Sequence, residues 1–223
     1  MIARFQIWLS RPFTHKFNSL RNKLEKALLL FEDIVYEKFH GLNCRGHIPV
    51  WTLIHAPIPA VRNAYAYEAV PCSNLRTMFK QVKKMGVEFD NFVDVGSGKG
   101  KACFYAFRTS RFKKVIGIEL SEALIETAKS NTSKVEAGRV TFLNQDATDF
   151  VLPDASNLVF LFNPFDNIIL EKFLEKNISH FEKQPSVIAY INDKHRASLI
   201  KFGFVPVYRN ARVGDGLYRY QAR

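Results

Sequence analysis

Between residues 91 and 202, short apolar runs alternate with segments of helical character. The runs that we predict to be strands are residues 91–95, 114–120, 140–144, 157–162 and 186–191. The predicted helices are residues 99–108, 122–131, 168–181 and 194–202. Strands that alternate with helices favour parallel pairing through right-handed crossovers. We therefore predict an α/β fold with a Rossmann-like, doubly wound and mostly parallel sheet.

The C-terminal segment departs from this alternation. Two Val/Tyr-rich runs flank Gly214-Asp215-Gly216, a pattern typical of a β-hairpin. A hairpin at this place would add antiparallel strands to one edge of the sheet.

The N-terminal part is predicted to be helical. Apolar residues recur at helical spacing over residues 18–40, at Leu20, Leu24, Leu28, Phe31, Val35 and Phe39. Asn18 or Ser19 is the predicted N-cap. We predict an amphipathic helix that packs on the main domain. The alternative is a basic helix that touches a membrane surface or an anionic partner, aided by Phe5, Trp8 and Phe13.

Two further segments complete the predicted organisation. Three prolines between residues 46 and 60 indicate a covering loop, and residues 75–84 indicate another helix. We divide the chain into an N-terminal helical and loop extension (residues 1–66) and one main domain (residues 67–223).

Charge and cysteine content limit the class of protein. The formal net charge is +11, but the basic residues are spread along the chain, so the charge favours anionic partners without selecting nucleic acid. The three cysteines contain no CxxC pair, which favours a reducing compartment over a disulfide framework or a zinc site. With no signal peptide or bilayer-spanning run recognised, we predict a cytoplasmic protein.

The turn "DVGSGKG" (residues 94–100) follows the first predicted strand and suggests a ligand-binding loop. A Walker loop would need glycine at Val95 and a hydroxyl residue at Ala102. A dinucleotide fingerprint would need glycine or alanine where Lys101 stands. Neither phosphate-binding motif therefore fits this turn.

Three acidic residues stand at the ends of three successive predicted strands, namely Asp94, Glu119 and Asp146. The carboxyl ends of parallel strands meet at one edge of an open sheet, where ligands bind. A carboxylate can accept two hydrogen bonds from a pair of hydroxyl groups. The three acids therefore favour a shared ligand site. Alternatively, Asp94 caps the following helix, Glu119 is a surface acid and Asp146 is a turn residue.

Together with these acids, the D-x-G-x-G-x-G turn resembles motif I of the class I S-adenosylmethionine-dependent methyltransferases, and the resemblance covers most of residues 67–208. It implies S-adenosylmethionine as the cofactor and S-adenosylhomocysteine as its product. It also implies that Asp94 holds the amino group, Glu119 the ribose hydroxyls and Asp146 the adenine. The implied cofactor-binding residues are Asp94, Gly96, Ser97, Gly98, Gly100, Glu119, Leu120, Asp146, Ala147 and Asn163.

The fourth predicted strand of the alternation ends in "FNPFD" (residues 162–166). This resembles motif IV of amino-group methyltransferases, [DNS]-P-P-[YF], with one proline fewer. The resemblance implies that Asn163, Pro164 and Phe165 bind the methyl acceptor and that the reaction is N-directed. Alternatively, Phe165 belongs to the core and the turn only ends the strand.

Other assignments remain open. His180 or His195 could act as the general base of an O-methyltransferase. Lys99 and Lys101 could attract an anionic acceptor, but we expect both to be solvated lysines at a helix start. Tyr65, Tyr67 and Glu68 are candidates for a lid over the cofactor. Asp166 and Asn192-Asp193 only faintly resemble a metal site, so we expect no metal. A nucleic-acid-associated protein or a catalytically idle binding protein are further alternatives.

Overall fold

The computed structural model describes residues 11–49, 65–132 and 138–222, with side chains from residue 23 onward. The helices are α1 (Arg11–His40), α2 (Cys72–Lys84), α3 (Lys101–Thr109), α4 (Glu122–Thr132), α5 (Asn167–Lys183) and α6 (Arg196–Lys201). The strands are β1 (His47–Ile48), β2 (Tyr67–Glu68), β3 (Asn91–Val95), β4 (Lys114–Glu119), β5 (Val140–Asn144), β6 (Asn157–Phe162), β7 (Val187–Ile191), β8 (Phe204–Asn210) and β9 (Asp215–Tyr220).

Seven strands form one sheet in the order β5-β4-β3-β6-β7-β9-β8. The first five are parallel, whereas β9 runs antiparallel to both β7 and β8. This arrangement confirms the predicted mostly parallel sheet with a C-terminal antiparallel hairpin. The order in which strands are added to the sheet reverses at β3, which pairs with both β4 and β6. Strands β4 and β5 are added on one side of β3, and β6 and β7 are added on the other. A crevice therefore opens at the carboxyl ends of these strands, the usual ligand site of such a sheet.

The central strands are buried on both faces. All residues of β3 and β7 are buried, whereas the edge strand β5 alternates between buried and exposed positions. Neighbouring residues of β3 enter different cores, since Phe92 packs with Phe104 on one face and Val93 packs with Phe173 on the other. Helices covering both faces explain why these strands read as continuous apolar runs in the sequence.

The N-terminal helix is longer than predicted. It begins at Arg11, so Asn18 and Ser19 lie within α1 and the predicted N-cap there is wrong. Helix α2 likewise begins at Cys72, three residues before the predicted start.

Most of the predicted covering loop, residues 50–60, lies outside the described residues, as do Phe5 and Trp8 and the side chains of Phe13 and Leu20. Within the described ranges, no helix combines the length and the apolar character needed to cross a bilayer.

The face by which α1 contacts the domain is the opposite of the one predicted. The apolar residues expected to pack on the domain have side chains that are 46 to 83 % exposed to solvent. These residues are Leu24, Leu28, Phe31, Val35 and Phe39. Polar residues face the domain instead. Asp33 forms an ion pair with the buried Lys101 of α3 at 2.8 Å, and the buried Glu37 lies 3.6 Å from the same ammonium group. A buried ammonium needs such partners because an unpaired charge is costly to desolvate.

Candidate active site

A pocket opens at the carboxyl ends of β3, β4 and β6 and encloses about 1050 Å³, part of it open to solvent. Ten of the twelve site residues predicted from the sequence line it: Asp94, Gly96, Ser97, Glu119, Leu120, Asp146, Ala147, Asn163, Pro164 and Phe165. Gly98 and Gly100 belong to the same turn but do not line the pocket. We call residues 96–100 the glycine loop and residues 163–166 the β6 turn.

The glycines of the glycine loop are in close contact with neighbouring side chains. At Gly96, where φ is +79°, an added Cβ would lie only 2.2 Å from the Cβ of Pro164. At Gly98, where φ is +53°, it would lie 2.3 Å from the ring of Tyr67. Any side chain at Gly96 would therefore push the glycine loop away from the β6 turn. Gly96 brings these two segments into direct contact.

Glu119 ends β4, and its carboxylate is oriented by the backbone. Its Oε2 accepts a hydrogen bond from the Gly98 N–H at 3.0 Å, and its Oε1 accepts one from the Ser121 N–H at 2.9 Å. Burial raises the pKa of Glu119, while these backbone N–H groups lower it. Since a carboxylate oxygen can accept two hydrogen bonds, each oxygen keeps capacity for one ligand hydroxyl.

Asp94 lies within β3 and is almost fully buried, with 3 % exposure. Its Oδ2 accepts a hydrogen bond from the Cys103 thiol at 3.6 Å. Burial raises the pKa of Asp94 to about 7, the Cys103 thiol lowers it and the charge of Glu119 raises it further. An ammonium group in the pocket would favour the ionised form of this carboxyl.

Asp146 follows β5 and forms a local turn. Its Oδ1 accepts hydrogen bonds from the backbone N–H and the hydroxyl of Thr148, both at 2.8 Å. The next residue, Ala147, is buried and also lines the pocket. The turn interpretation of Asp146 is thus correct, and its second oxygen, Oδ2, remains suitable for a ligand donor.

The β6 turn holds Asn163 in a conformation that is unusual for a residue with a side chain. Its φ is +47°, in the left-handed region where asparagine is tolerated better than most residues. Asn163 is a lining residue of the pocket, and its Oδ1 is buried and has no hydrogen-bond partner among the described residues. The same holds for the hydroxyls of Ser97 and Ser121. Buried polar atoms are normally paired, so these three atoms indicate a polar ligand in the pocket.

Phe165 and Asp166, the last two residues of the β6 turn, have different environments. Phe165 is 8 % exposed and packs in the core, although it also lines the pocket. Asp166 accepts hydrogen bonds from the N–H groups of Ile168 and Ile169 and thereby caps α5. Among the residues that the structure describes, no group of three His, Cys, Asp or Glu side chains could hold a metal ion.

The predicted lid residues Tyr65, Tyr67 and Glu68 all line the pocket. The Tyr67 ring packs against Gly98, and its hydroxyl donates to the Cys44 carbonyl. The Tyr65 N–H donates to the Pro164 carbonyl at 3.3 Å. The segment before α2 therefore covers the glycine loop and reaches the β6 turn.

The two histidines considered as bases lie in different places. The hydroxyl of Tyr65 lies 3.1 Å from Nε2 of His195, next to the pocket. His180 instead contacts Asn157 and Ser186 at 3.0 and 2.9 Å. Asn157 begins β6, so His180 lies at the end of the sheet opposite the pocket and serves the core.

The two lysines beside the glycine loop are engaged with protein groups. Lys99 donates to the Arg45 carbonyl at 2.9 Å and lies over the Tyr67 ring at 5.3 Å. Lys101 is buried between Asp33 and Glu37. The interpretation of Lys101 as a solvated helix-start lysine is therefore wrong.

Several lining residues were not predicted, notably Ser121, Leu124, Gln145, Phe160, Phe162 and Ile169. Gln145 immediately follows β5 and Ser121 lies two residues beyond the end of β4, so their position after a strand was an available signal. The apolar residues give no such signal because their spacing is that of ordinary core positions.

A family model described as "Methyltransferase domain" matches residues 88–200. This is half of the chain, and the chain therefore belongs to this family of methyltransferase domains. No curated protein matches it in sequence.

Solved structures with the same fold include a ribosomal-protein methylase from Lactobacillus delbrueckii subsp. bulgaricus. It is 15 % identical, covering 81 % of this chain and 97 % of that one, with a TM-score of 0.50. An S-adenosylmethionine-dependent methyltransferase from Aquifex aeolicus is 20 % identical. The match covers 65 % of this chain and 89 % of that one, with a TM-score of 0.50. An RNA methyltransferase from Salinibacter ruber, solved with S-adenosyl-L-homocysteine, is 22 % identical. The match covers 68 % of this chain and 91 % of that one, with a TM-score of 0.47.

Family and fold agree with the pocket at the sheet edge. The chain is a methyltransferase domain, which confirms the enzyme class expected from the sequence. It shares its fold with the S-adenosylmethionine-dependent enzyme from Aquifex aeolicus.

Proposed function

We propose that this methyltransferase acts on an amino nitrogen, which the β6 turn binds through Asn163. The observation that carries this proposal is the buried, unpartnered Oδ1 of Asn163 in the pocket wall. An amide oxygen accepts hydrogen bonds, and an amine is a donor that also carries the nucleophilic lone pair. An unpaired buried acceptor costs free energy, which a bound amine would recover.

The chain's own residues fit the cofactor. The free acceptor capacity of Glu119 suits the two ribose hydroxyls, and the buried carboxyl of Asp94 suits the amino group. Asp146 Oδ2 and the Ala147 N–H suit the adenine edge, and the hydroxyls of Ser97 and Ser121 supply further contacts in the same wall.

The chemical step needs alignment more than acid–base assistance. When bound, S-adenosylmethionine would supply a sulfonium methyl group. The amine lone pair would form the new N–C bond as the C–S bond breaks and its electron pair returns to sulfur, and the proton lost from nitrogen would pass to solvent water. Asn163 Oδ1 would orient the lone pair by accepting an N–H hydrogen bond, and Pro164 would hold the turn against Gly96. Correct positioning of two reactants accounts for large rate increases.

The acceptor class is an amine of a protein, a small molecule or a glycan. We place the reaction in the cytoplasm because the three cysteines are buried free thiols, a state that is typical of a reducing compartment.

The test compares Asn163→Ala with Asn192→Ala. Both asparagines have a positive φ, +47° and +57°, and both follow a central strand, but only Asn163 lines the pocket. Methyl transfer from labelled donor to an amine identified by screening should fall about 10- to 100-fold in kcat/KM in Asn163→Ala, in line with the loss of one to two hydrogen bonds. Affinity for S-adenosylhomocysteine should stay within about threefold in both variants. Equal rates for the two variants would refute the role of Asn163.

A second candidate function is O-methylation, favoured by the Tyr65–His195 contact at the pocket. A neutral imidazole there could accept the proton of an acceptor hydroxyl. Replacement of His195 with Gln separates the two functions. O-directed transfer would lose its step in the pH–rate profile and about 100-fold in rate, whereas N-directed transfer would keep its rate within about threefold.

A further inference from the structure

Helix α1 exposes a continuous apolar face to solvent. We define the outer face of α1 as Leu24, Leu28, Phe31, Val35 and Phe39, all at least 46 % exposed. Leu29 and Leu30, which are 42 % and 57 % exposed, lie on other sides of the same helix. The spacing of three or four residues places the residues of the outer face on one side of the helix. Exposed apolar patches of this kind mark interaction sites.

Three acidic residues of α1 pair with basic residues of the domain, Asp33 and Glu37 on the side opposite the outer face and Glu32 at its border. Glu32 pairs with Arg76 of α2, Asp33 with Lys101, and Glu37 with both Lys101 and Arg45. The Asp33 carboxylate also accepts a hydrogen bond from the Cys72 N–H at 2.8 Å. These contacts fix the rotation of α1 about its axis, so its outer face stays directed away from the domain.

The charge left on the solvent side of α1 is basic. Lys23, Lys26 and Lys38 are exposed, with Lys26 two turns before Asp33 on the polar side of the helix. Within residues 23–40 the acidic residue outside the ion pairs named above is Glu25. In the sequence, Arg4, Arg11, Lys16 and Arg21 add further positive charge before this stretch, and no acidic residue precedes Glu25. Long lysine side chains beside an apolar face can extend their ammonium groups toward lipid headgroups.

We propose that the outer face of α1 docks on the surface of an anionic lipid bilayer, with the helix lying in the plane of the membrane. An apolar face combined with basic residues is the signature of interfacial helices. Each Lys or Arg near an anionic surface adds about 1 kcal/mol of attraction. The sequence before α1 contains Phe5 and Trp8, residue types that favour the membrane interface.

A second copy of the chain fits this face less well than a bilayer. Antiparallel pairing centred on Phe31 would bring Lys23 of one copy next to Lys38 of the other. Parallel pairing would bring Lys38 of one copy next to Lys38 of the other. Both arrangements place like charges together, which disfavours association, whereas anionic lipids neutralise them.

The test is vesicle flotation of the full chain. The vesicles are phosphatidylcholine alone or phosphatidylcholine with about 30 % phosphatidylglycerol, an anionic lipid. The double variant Leu28→Ser/Phe31→Ser removes apolar area from the outer face. The matched control is Val151→Ser/Val213→Ser, which changes two residues that are 61 % and 50 % exposed elsewhere.

We expect binding to the anionic vesicles only, reduced at least about tenfold in the α1 variant because of the lost apolar burial. The control variant should bind as the unchanged chain does, and about 0.5 M NaCl should weaken binding by screening the lysines. Circular dichroism shows whether each variant keeps its fold.

Three results would overturn the proposal. The first is no binding of the folded chain to anionic vesicles, and the second is an equal loss in both variants. The third is a dimer, measured by light scattering, that Leu28→Ser/Phe31→Ser converts to a monomer, because a second copy would then cover the outer face.

Discussion

The two sides of the pocket differ in which polar groups are oriented before any ligand binds. On the glycine-loop side, both oxygens of Glu119 and one oxygen of Asp146 already accept hydrogen bonds from the chain, while the hydroxyls of Ser97 and Ser121 have no partner among the described residues. On the β6-turn side, Asn163 has a positive φ and its amide oxygen has no partner within the part of the chain that the structure describes. The carboxylates of the first side are thus oriented in advance, whereas the amide acceptor of the second side is not.

This difference suits the two substrates that we propose. Oriented carboxylates lose little freedom on binding, which favours affinity for a cofactor common to many reactions. An unpaired hydrogen-bond acceptor binds a ligand with a donor at the matching position more tightly than one without such a donor. This favours selectivity for the methyl-accepting substrate. The predictions below test this division, beginning with the largest expected effect.

The largest effect is expected at Glu119. Replacement with Ala removes two charge-assisted hydrogen bonds of about 1.5–3 kcal/mol each, so affinity for S-adenosylhomocysteine should fall at least about 100-fold. Calorimetric titration with S-adenosylmethionine, S-adenosylhomocysteine and, as a control, NAD measures this. Glu122→Ala, which changes an exposed acid in the next helix, should leave affinity unchanged. If Glu119→Ala bound these ligands with unaltered affinity, the glycine-loop side would not be part of the cofactor site.

A smaller effect, on stability, is expected at Gly96. Gly96→Ala adds a Cβ that would lie 2.2 Å from Pro164 at a φ of +79°, and we expect a loss of about 3 kcal/mol in the free energy of unfolding. Gly86→Ala is the matched control, with a φ of +64° and no atom within 4 Å of the added group. It should cost only about 1 kcal/mol. Equal losses in urea denaturation would show that the contact between the two sides is unimportant.

The smallest effect concerns pH. Because the pKa of Asp94 is about 7 in the free protein, its carboxyl is mostly neutral at pH 6 and mostly ionised at pH 8. The ionised form binds an ammonium group, so affinity for S-adenosylhomocysteine should fall about tenfold as the pH falls from 8 to 6. Asp94→Asn should flatten this dependence. A profile that Asp94→Asn leaves unchanged would assign the titration to another group.

The sheet could be predicted from the sequence because its strands are buried on both faces. The observed bounds of β3, β5 and β6 coincide with the predicted ones, and the positions of Asp94, Glu119 and Asp146 at strand ends followed from the same pattern. Local sequence contains this information, since a run of apolar residues bounded by turns specifies a buried strand.

The contacts between distant segments could not be predicted. Periodicity showed that Leu24, Leu28 and Phe31 share a face of α1, but not whether the domain or another surface covers it. The outcome depends on Lys101, which is 68 residues from Asp33 in sequence. Likewise, the glycine pattern predicted close approach of a ligand, whereas Gly96 and Gly98 first accommodate Pro164 and Tyr67.

The contact between Gly96 and Pro164 has a consequence for how each substrate affects the binding of the other. The two segments touch so closely that displacement of one must move the other. We therefore expect the methyl donor and the methyl acceptor to bind cooperatively. Thermodynamic linkage makes such an effect reciprocal: an acceptor analogue that tightens donor binding by a given factor must itself bind more tightly, by the same factor, once the donor is present.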